Sequence, residues 1–299
     1  MKKKTVVTGA LASTLTASTV TAGLALSKQF ARKVLYREHL NKDDQISWYE
    51  ELGAQKIKIK NHKDMFLQAY LMEKKNAKRT IICLHGLMES ARSLKETVLY
   101  LQTIFENDNV LMIDANAHGL SDGYIRGFGY RDVTDLMYFN TYLLQKYGED
   151  HHMIMYGKGM GANTILNTSG LGKIKNVDLI ISEGAYDTVY NYLAARCQRE
   201  TKIIRMVCGP VIRNTIKNEI KSDIKKMNTV NLVKNNQIPT VYIHSKVDTD
   251  VPFQMVFPLY NHDGSNKLLF PIKEEHLYDL QGKEDSYSLS LIEFMNDNL

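Results

Sequence analysis

Short apolar runs that do not alternate recur along the chain from residue 80 onward. They are Thr80–Leu84, Val110–Ile113, Met153–Tyr156, Leu179–Ile181, Val241–Ile243 and Leu268–Phe270. Strands buried on both faces show this pattern, which is typical of a parallel sheet. Helical periodicity appears between runs and after the last one, at Ala91–Phe105, Val133–Tyr147 and Glu284–Asn298. The alternation predicts an α/β fold, with a mostly parallel central sheet and helices on both faces.

Two segments depart from this alternation. Apolar and polar residues alternate at Lys56–Lys60 and again at Met65–Met72, which predicts an antiparallel pair of strands joined by a turn at Asn61–Asp64. The segment at about 186–233 is helical in pattern and longer than an ordinary crossover, so we expect a helical cap inserted between two strands. The alternative is one long crossover with a solvated basic face. The basic residues of this segment are Arg196, Arg199, Lys202, Arg205, Arg213, Lys217, Lys221, Lys225 and Lys226.

The N-terminus differs from the rest of the chain. Lys2, Lys3 and Lys4 precede a segment without charge, residues 5–27, which is rich in Thr, Ser and Ala. A positive region before an uncharged segment is typical of an export signal or anchor, so residues 1–30 are predicted to be a signal peptide or N-terminal membrane anchor. The alternative is a leader that is neither cleaved nor inserted. The positive-inside rule then places the folded domain, residues 50–299, outside the cytoplasm.

Composition narrows the function classes only slightly. The chain has 299 residues and a formal net charge of +5, an excess that suits an anionic membrane or cell-wall surface and is too small to indicate nucleic-acid binding. Its three cysteines have no CxxC spacing, which argues against a zinc site or a disulfide framework. We therefore expect no metal, no cofactor and no nucleic-acid partner.

The first candidate chemistry follows the run that ends at Leu84. His85-Gly86-Leu87 begins a loop there, and in an acyl-transfer site a backbone N–H in such a loop can point at a developing oxyanion. Leu87 is the candidate donor.

The next polar stretch carries a resemblance to a known family. Asp114-Ala115-Asn116-Ala117-His118-Gly119-Leu120-Ser121-Asp122-Gly123, followed by Gly127-Phe128-Gly129, resembles the D-x-R-G-H-G-x-S-x-G … F-G segment of the α/β-hydrolase superfamily. The most similar group is the serine aminopeptidase-like one, which includes extracytoplasmic bacterial hydrolases with an N-terminal anchor. Asn116 replaces the usual arginine. The resemblance extends from Lys56 to the C-terminus and implies the α/β-hydrolase fold, relatedness to esterases and serine peptidases, and a small acyl or peptide-like ligand.

The superfamily's nucleophile elbow, G-x-S-x-G, is matched by Gly157-Lys158-Gly159-Met160-Gly161 between a predicted strand and a predicted helix. The resemblance places Gly159 where the catalytic serine would stand. Glycine tolerates the strained backbone of that position but supplies no hydroxyl. The alternative is a phosphate-binding turn, but the third glycine comes one residue too early for G-x-G-x-x-G.

The remaining site residues are also implied by the resemblance. Asp248 matches the triad acid in the loop after Val241–Ile243, with Asp250 the less favoured choice, and His276 matches the triad histidine. The backbone N–H groups of Leu87 and Met160 would form the oxyanion hole. We therefore expect His276 to hydrogen-bond to Asp248 and to face empty space above Gly159.

Three hypotheses follow from a site that keeps everything except the hydroxyl. The first is a pseudoenzyme that binds an acyl or peptide-like ligand under its cap. The second is a slow ester or peptide hydrolase that uses a water activated by His276. The third is a cell-surface protein whose basic cap binds anionic polymers or lipids.

Overall fold

A computed structural model describes residues 4–37, 47–280 and 286–299 of the chain. Within these ranges, eight strands form one sheet in the order β1-β2-β4-β3-β5-β6-β7-β8. The strands are β1 (Gln55–Lys60), β2 (Phe66–Met72), β3 (Arg79–Leu84), β4 (Asn109–Ile113), β5 (His152–Lys158), β6 (Val177–Glu183), β7 (Thr240–Ser245) and β8 (Lys267–Ile272).

The helices lie before, between and after these strands. They are α1 (Lys4–Leu35), α2 (Trp48–Glu51), α3 (Lys95–Ile104), α4 (Val133–Tyr147), α5 (Met160–Gly170), α6 (Val189–Thr201), α7 (Arg205–Ile220), α8 (Thr229–Val233), α9 (Val256–His262) and α10 (Ser286–Asn298).

The sheet confirms the predicted α/β architecture. Strands β1 and β2 are antiparallel, as are β2 and β4, whereas β3 to β8 run parallel to one another. Strand β3 shows why its sequence does not alternate. Ile81 and Cys83 point into the core on one face, and Ile82 and Leu84 point into the core on the other. Burial on both faces favours apolar residues at successive positions.

The segment between β6 and β7 contains α6, α7 and α8, within the range for which a helical cap was predicted. Buried residues of α6 and α7 form an apolar cluster apart from the two that cover the sheet faces, and it includes Leu193, Cys197, Cys208 and Ile212. This cluster lies above the carboxyl ends of the strands, since Met160 and Leu87 also belong to it.

Helix α1 extends beyond the boundary at residue 30 that the sequence suggested. Its last turns join the cap cluster through Phe30, Ala31, Val34 and Leu35, which are all buried. The side chain of Arg126 donates hydrogen bonds to the carbonyls that end the helix, at distances of 2.6 to 3.2 Å. The end of α1 is therefore part of the folded domain. Over the described ranges, none of the helices combines the length and apolarity needed to cross a bilayer.

Candidate active site

The site lies where β5 turns into α5. Gly159 is the residue between the two elements, with φ of 53° and ψ of −111°, and α5 begins at Met160. Its N–H donates to the carbonyl of Glu183 (2.8 Å), and its own carbonyl accepts from the N–H of Asn163 (3.1 Å). A side chain in this backbone conformation would be strained by about 1–3 kcal/mol.

The three glycines of this turn are constrained in different ways. A Cβ on Gly157 would lie 2.5 Å from the backbone N of Ala162, and a Cβ on Gly161 would lie 2.4 Å from the carbonyl oxygen of Leu84. The nearest atom to a Cβ on Gly159 is the Cα of Gly86, at 3.8 Å. Packing therefore requires glycine at 157 and 161, while residue 159 has room for a side chain.

Two buried histidines hold the loop that follows β3. The Nδ1–H of His85 donates to the carbonyl of Gly86 (2.7 Å), and its Nε2 accepts from the N–H of Ala115 (3.1 Å). His118 Nε2 accepts from the N–H of Met88 (3.2 Å). Burial lowers the pKa of both imidazoles, so each stays neutral and can both donate and accept. These bonds fix the backbone on both sides of Leu87.

Leu87 lies in the loop after β3, and Met160 is the first residue of α5. In the described part of the chain, neither backbone N–H has a hydrogen-bond acceptor. The first N–H groups of a helix have no partner within the helix, and they favour negative charge. Both N–H groups are therefore available to an oxygen bound beside Gly159.

The ring of His276 is held by Glu183. His276 precedes the short 3-10 turn at Leu277–Leu280, and its Nδ1 lies 3.2 Å from Oε1 of Glu183. The other carboxylate oxygen of Glu183 accepts from the hydroxyl of Tyr156 (2.7 Å). Glu183 is 5 % exposed and ends β6. The hydrogen bond to this carboxylate raises the pKa of His276, and Nε2 is the ring nitrogen left for a ligand.

Asp248 is placed differently from the prediction. Its Oδ1 accepts from the N–H groups of Asp250 (2.7 Å) and Val251 (2.8 Å), and its Oδ2 lies 3.8 Å from Nε2 of His244. Among the described residues, no hydrogen bond joins Asp248 to His276, so the expected pair is wrong. The reason is local: one oxygen of Asp248 closes its own turn, while Glu183 reaches the imidazole from the adjacent strand. Burial raises the pKa of Asp248.

The candidate residues line one cavity of about 480 Å³. Gly159, Leu87, His276, Glu183 and Asp248 all contribute to its wall. Predicted and newly found site residues thus meet at one place, at the carboxyl ends of β3, β5, β6, β7 and β8.

Comparison with solved structures identifies the architecture. Esterase Pf2001 of Pyrococcus furiosus superposes with a TM-score of 0.68 at 19% identity, over 89% of this chain and 98% of that one. Est1E of Butyrivibrio proteoclasticus, solved with ferulic acid, gives 0.57 at 16% identity, over 81% and 98%. A lipase-esterase related protein of Clostridium acetobutylicum gives 0.55 at 17%, over 78% and 99%. The chain has the α/β-hydrolase fold. No family model matches the sequence, and no curated protein matches it.

In the α/β-hydrolase fold, functional residues collect at the carboxyl ends of the strands, and Glu183 meets this condition. The sequence did contain a signal for it. Glu183 follows the buried apolar run Leu179–Ile181 after one residue, Ser182, and an acidic residue at such a position is seldom buried unless it is paired. The family's acid loop drew attention to Asp248 instead.

The cap closes the same cavity through a network of charges. Arg196 and Arg199 of α6 both pair with Asp250, at 3.4 and 2.7 Å, and the hydroxyl of Tyr192 donates to the same carboxylate (2.9 Å). Part of the predicted basic surface is therefore neutralised inside the molecule. Asp250 is a bridge between the cap and the β7 loop.

A second ion pair borders the cavity next to the elbow. Lys158 Nζ lies 3.1 Å from Oε1 of Glu89, whose other oxygen accepts from the N–H of Gly86 (3.0 Å). The pair raises the pKa of Lys158, so its amine is protonated and is not a nucleophile at neutral pH. Over the ranges the structure covers, His, Cys, Asp and Glu side chains form no group placed to hold a metal ion.

Proposed function

We propose that this protein is a member of the α/β-hydrolase family, related to esterases and serine peptidases, in which Gly159 takes the place of the nucleophile. It binds a small acyl or peptide-like ligand in the cavity below its cap with little or no hydrolysis. The observation that carries this proposal is the turn itself, where residue 159 has the strained backbone of an elbow and open space for a side chain.

The two flanking glycines support this interpretation. If the turn had merely relaxed into a generic glycine-rich loop, close packing at Gly157 and Gly161 would not be needed. Both remain within 2.6 Å of backbone atoms when a Cβ is added. The shape that presents a nucleophile is therefore kept at a position that holds no side chain.

The rest of the site supports ligand binding of the same chemical class. The free N–H groups of Leu87 and Met160 suit the carbonyl or carboxylate oxygen of an acyl group. His276, held by Glu183, can hydrogen-bond to the ligand's other oxygen or nitrogen through Nε2. An ester, amide or free acid meets both requirements.

Restoring the hydroxyl tests the proposal. Gly159→Ser should be labelled stoichiometrically by a fluorophosphonate probe and should hydrolyse short p-nitrophenyl esters. Loss of a triad serine costs on the order of 10⁶ in kcat, so a gain of at least about 10³ over the parent chain is expected. Gly159→Ala is the matched control, since it adds the same backbone strain without the hydroxyl.

Two results would overturn the proposal. Stoichiometric labelling of the parent chain would mean that another residue serves as nucleophile. A folded Gly159→Ser variant with no labelling and no gain over Gly159→Ala would mean that the surrounding site is not a catalytic one.

A second candidate function rests on the hydrogen bond between His276 and Glu183. A histidine whose Nδ1–H is fixed by a carboxylate can act as a general base through Nε2 and activate a water in the space left beside Gly159. Slow ester hydrolysis by the parent chain that is lost in His276→Gln, with no covalent labelling, would favour this candidate. Equal rates in the two proteins would remove it.

A further inference from the structure

We propose that the corner between α6 and α7, together with the neighbouring turns of α1, is a docking surface for a lipid bilayer that contains anionic lipids. The corner comprises residues 202–207 and is called the cap corner below. This inference does not depend on the proposed function, because the corner lies outside the candidate active site.

The cap corner exposes apolar side chains that a folded domain ordinarily buries. Met206 is 80 % exposed, Ile204 54 % and Val207 38 %. They lie within four consecutive positions, at the end of one helix and the start of the next. Single exposed apolar residues are common on protein surfaces, but a contiguous group indicates an interaction surface.

Helix α1 extends this apolar surface. A Cβ on Gly23 would lie 3.8 Å from Cδ1 of Ile203, so α1 passes beside the corner at that point. Ser27, one turn further on, is fully buried, whereas Val20, one turn before Gly23 on the same face, is 59 % exposed. Among the side chains of α1 that the structure describes, those on this face change from buried at Ser27 to exposed at Val20, beside the corner.

The composition of α1 beyond this point favours lipid as the partner. Residues 5–27 contain no charged side chain, and Leu24 is 42 % exposed. Val20, Leu24 and Leu26 are thus exposed on the turns of α1 that pass beside the apolar cap corner. Binding at a bilayer interface scales with buried apolar area plus attraction to anionic lipids.

Positive charge at the cap corner would add electrostatic attraction to anionic lipids. Lys202 and Arg205 are exposed on either side of Ile204, and Lys28 is exposed on α1. In the residues that the structure describes, the side chains of Lys202 and Arg205 have no ion-pair partner, in contrast to Arg196, Arg199 and Arg213. An anionic polymer would use the cations alone, whereas a bilayer also uses the apolar side chains between them.

The docking surface borders the candidate active site. A second cavity, of about 370 Å³, is lined by Lys202 and Arg205 and shares Arg199, Thr249 and Asp250 with the site cavity. Docking at the cap corner would therefore place this side of the cap, and the cavity beneath it, next to the lipid headgroups.

The test uses the full chain with an environment-sensitive fluorophore at the corner. Met206→Cys is labelled with a nitrobenzoxadiazole dye, and Leu171→Cys, an exposed apolar position at the C-terminal end of α5, is the matched control. On adding vesicles of phosphatidylcholine with phosphatidylglycerol, the dye at 206 should shift its emission to shorter wavelength, and the dye at 171 should not. The native cysteines Cys83, Cys197 and Cys208 are all buried.

A second arm tests the charges. Lys202→Gln with Arg205→Gln should weaken vesicle binding about tenfold or more at low salt, while Lys173→Gln with Lys175→Gln should leave it unchanged. Binding to vesicles without any shift at 206 would mean that α1 alone inserts, and would overturn the docking surface. So would a protein that binds soluble polyanions but no vesicles.

Discussion

Two carboxylates at the ends of neighbouring strands, Glu183 after β6 and Asp248 after β7, border the same cavity and differ in what they contact. Glu183 is buried and shares its oxygens between His276 and Tyr156. One oxygen of Asp248 accepts hydrogen bonds from the backbone of its own loop. Its other oxygen lies 3.8 Å from the imidazole of His244. Both carboxylates lie in the cavity wall, so what distinguishes them is the group that each side chain contacts.

This difference assigns separate tasks to the two residues. Glu183 hydrogen-bonds to His276 and raises the pKa of its imidazole. Asp248 shapes the loop that carries Asp250 to the cap arginines. Experiments that change one carboxylate at a time test whether Glu183 and Asp248 differ in this way.

The largest expected effect is on activity in the Gly159→Ser background. Glu183→Gln should lower kcat for a short ester by about 10³- to 10⁴-fold, because the imidazole loses the group that fixes its tautomer. Asp248→Asn should cost about tenfold or less, since it contacts no catalytic atom. A larger loss from Asp248→Asn than from Glu183→Gln would reverse the assignment of the acid.

Replacing either carboxylate should also lower the free energy of unfolding, and the two losses should differ less than the two effects on kcat do. Glu183→Ala leaves the buried hydroxyl of Tyr156 without its carboxylate, so the free energy of unfolding should fall by about 2–4 kcal/mol. Asp248→Ala should cost about 1 kcal/mol, because its two backbone donors lie in a partly solvated loop. Urea denaturation at neutral pH measures both. Equal losses of unfolding free energy would show that the contacts of Glu183 stabilise the fold no more than those of Asp248.

The pH dependence of stability should show the smallest effect. The folded pKa of His276 is raised by Glu183, so its contribution is fully present below the ordinary histidine pKa of about 6.5 and is lost as pH rises through the folded value. The stability difference between the parent chain and His276→Gln should therefore be larger near about pH 5 than near about pH 9. When Glu183→Gln is present in both proteins, the effect of His276→Gln on stability should be nearly independent of pH. If the pH dependence remains, Glu183 is not the group that raises the pKa of His276.

Much of the fold follows from residue patterns. Strand β3 is buried on both faces and lacks alternation, whereas β1 alternates and lies at the sheet edge, so each pattern predicted its element. The turn at Gly159 was also predictable, because tight packing at Gly157 and Gly161 permits only glycine. These features depend on local geometry, which the sequence encodes directly.

The identity of the histidine's partner was not predictable in the same way. Glu183 ends one buried strand and Asp248 lies in the loop after the next, and residue patterns do not show which of the two side chains is directed at His276. The packing of the end of α1 was not predictable for a related reason. Its uncharged composition indicated a separate leader, but the burial of Phe30 and Val34 depends on cap helices far along the chain.

The most direct test of the Glu183 assignment is an NMR titration of the His276 imidazole in the parent chain, in Glu183→Gln and in Asp248→Asn. We predict that Glu183→Gln lowers the pKa of His276 and that Asp248→Asn leaves it close to the parent value. A pKa that falls in Asp248→Asn and stays unchanged in Glu183→Gln would contradict the account and return the acid's role to Asp248.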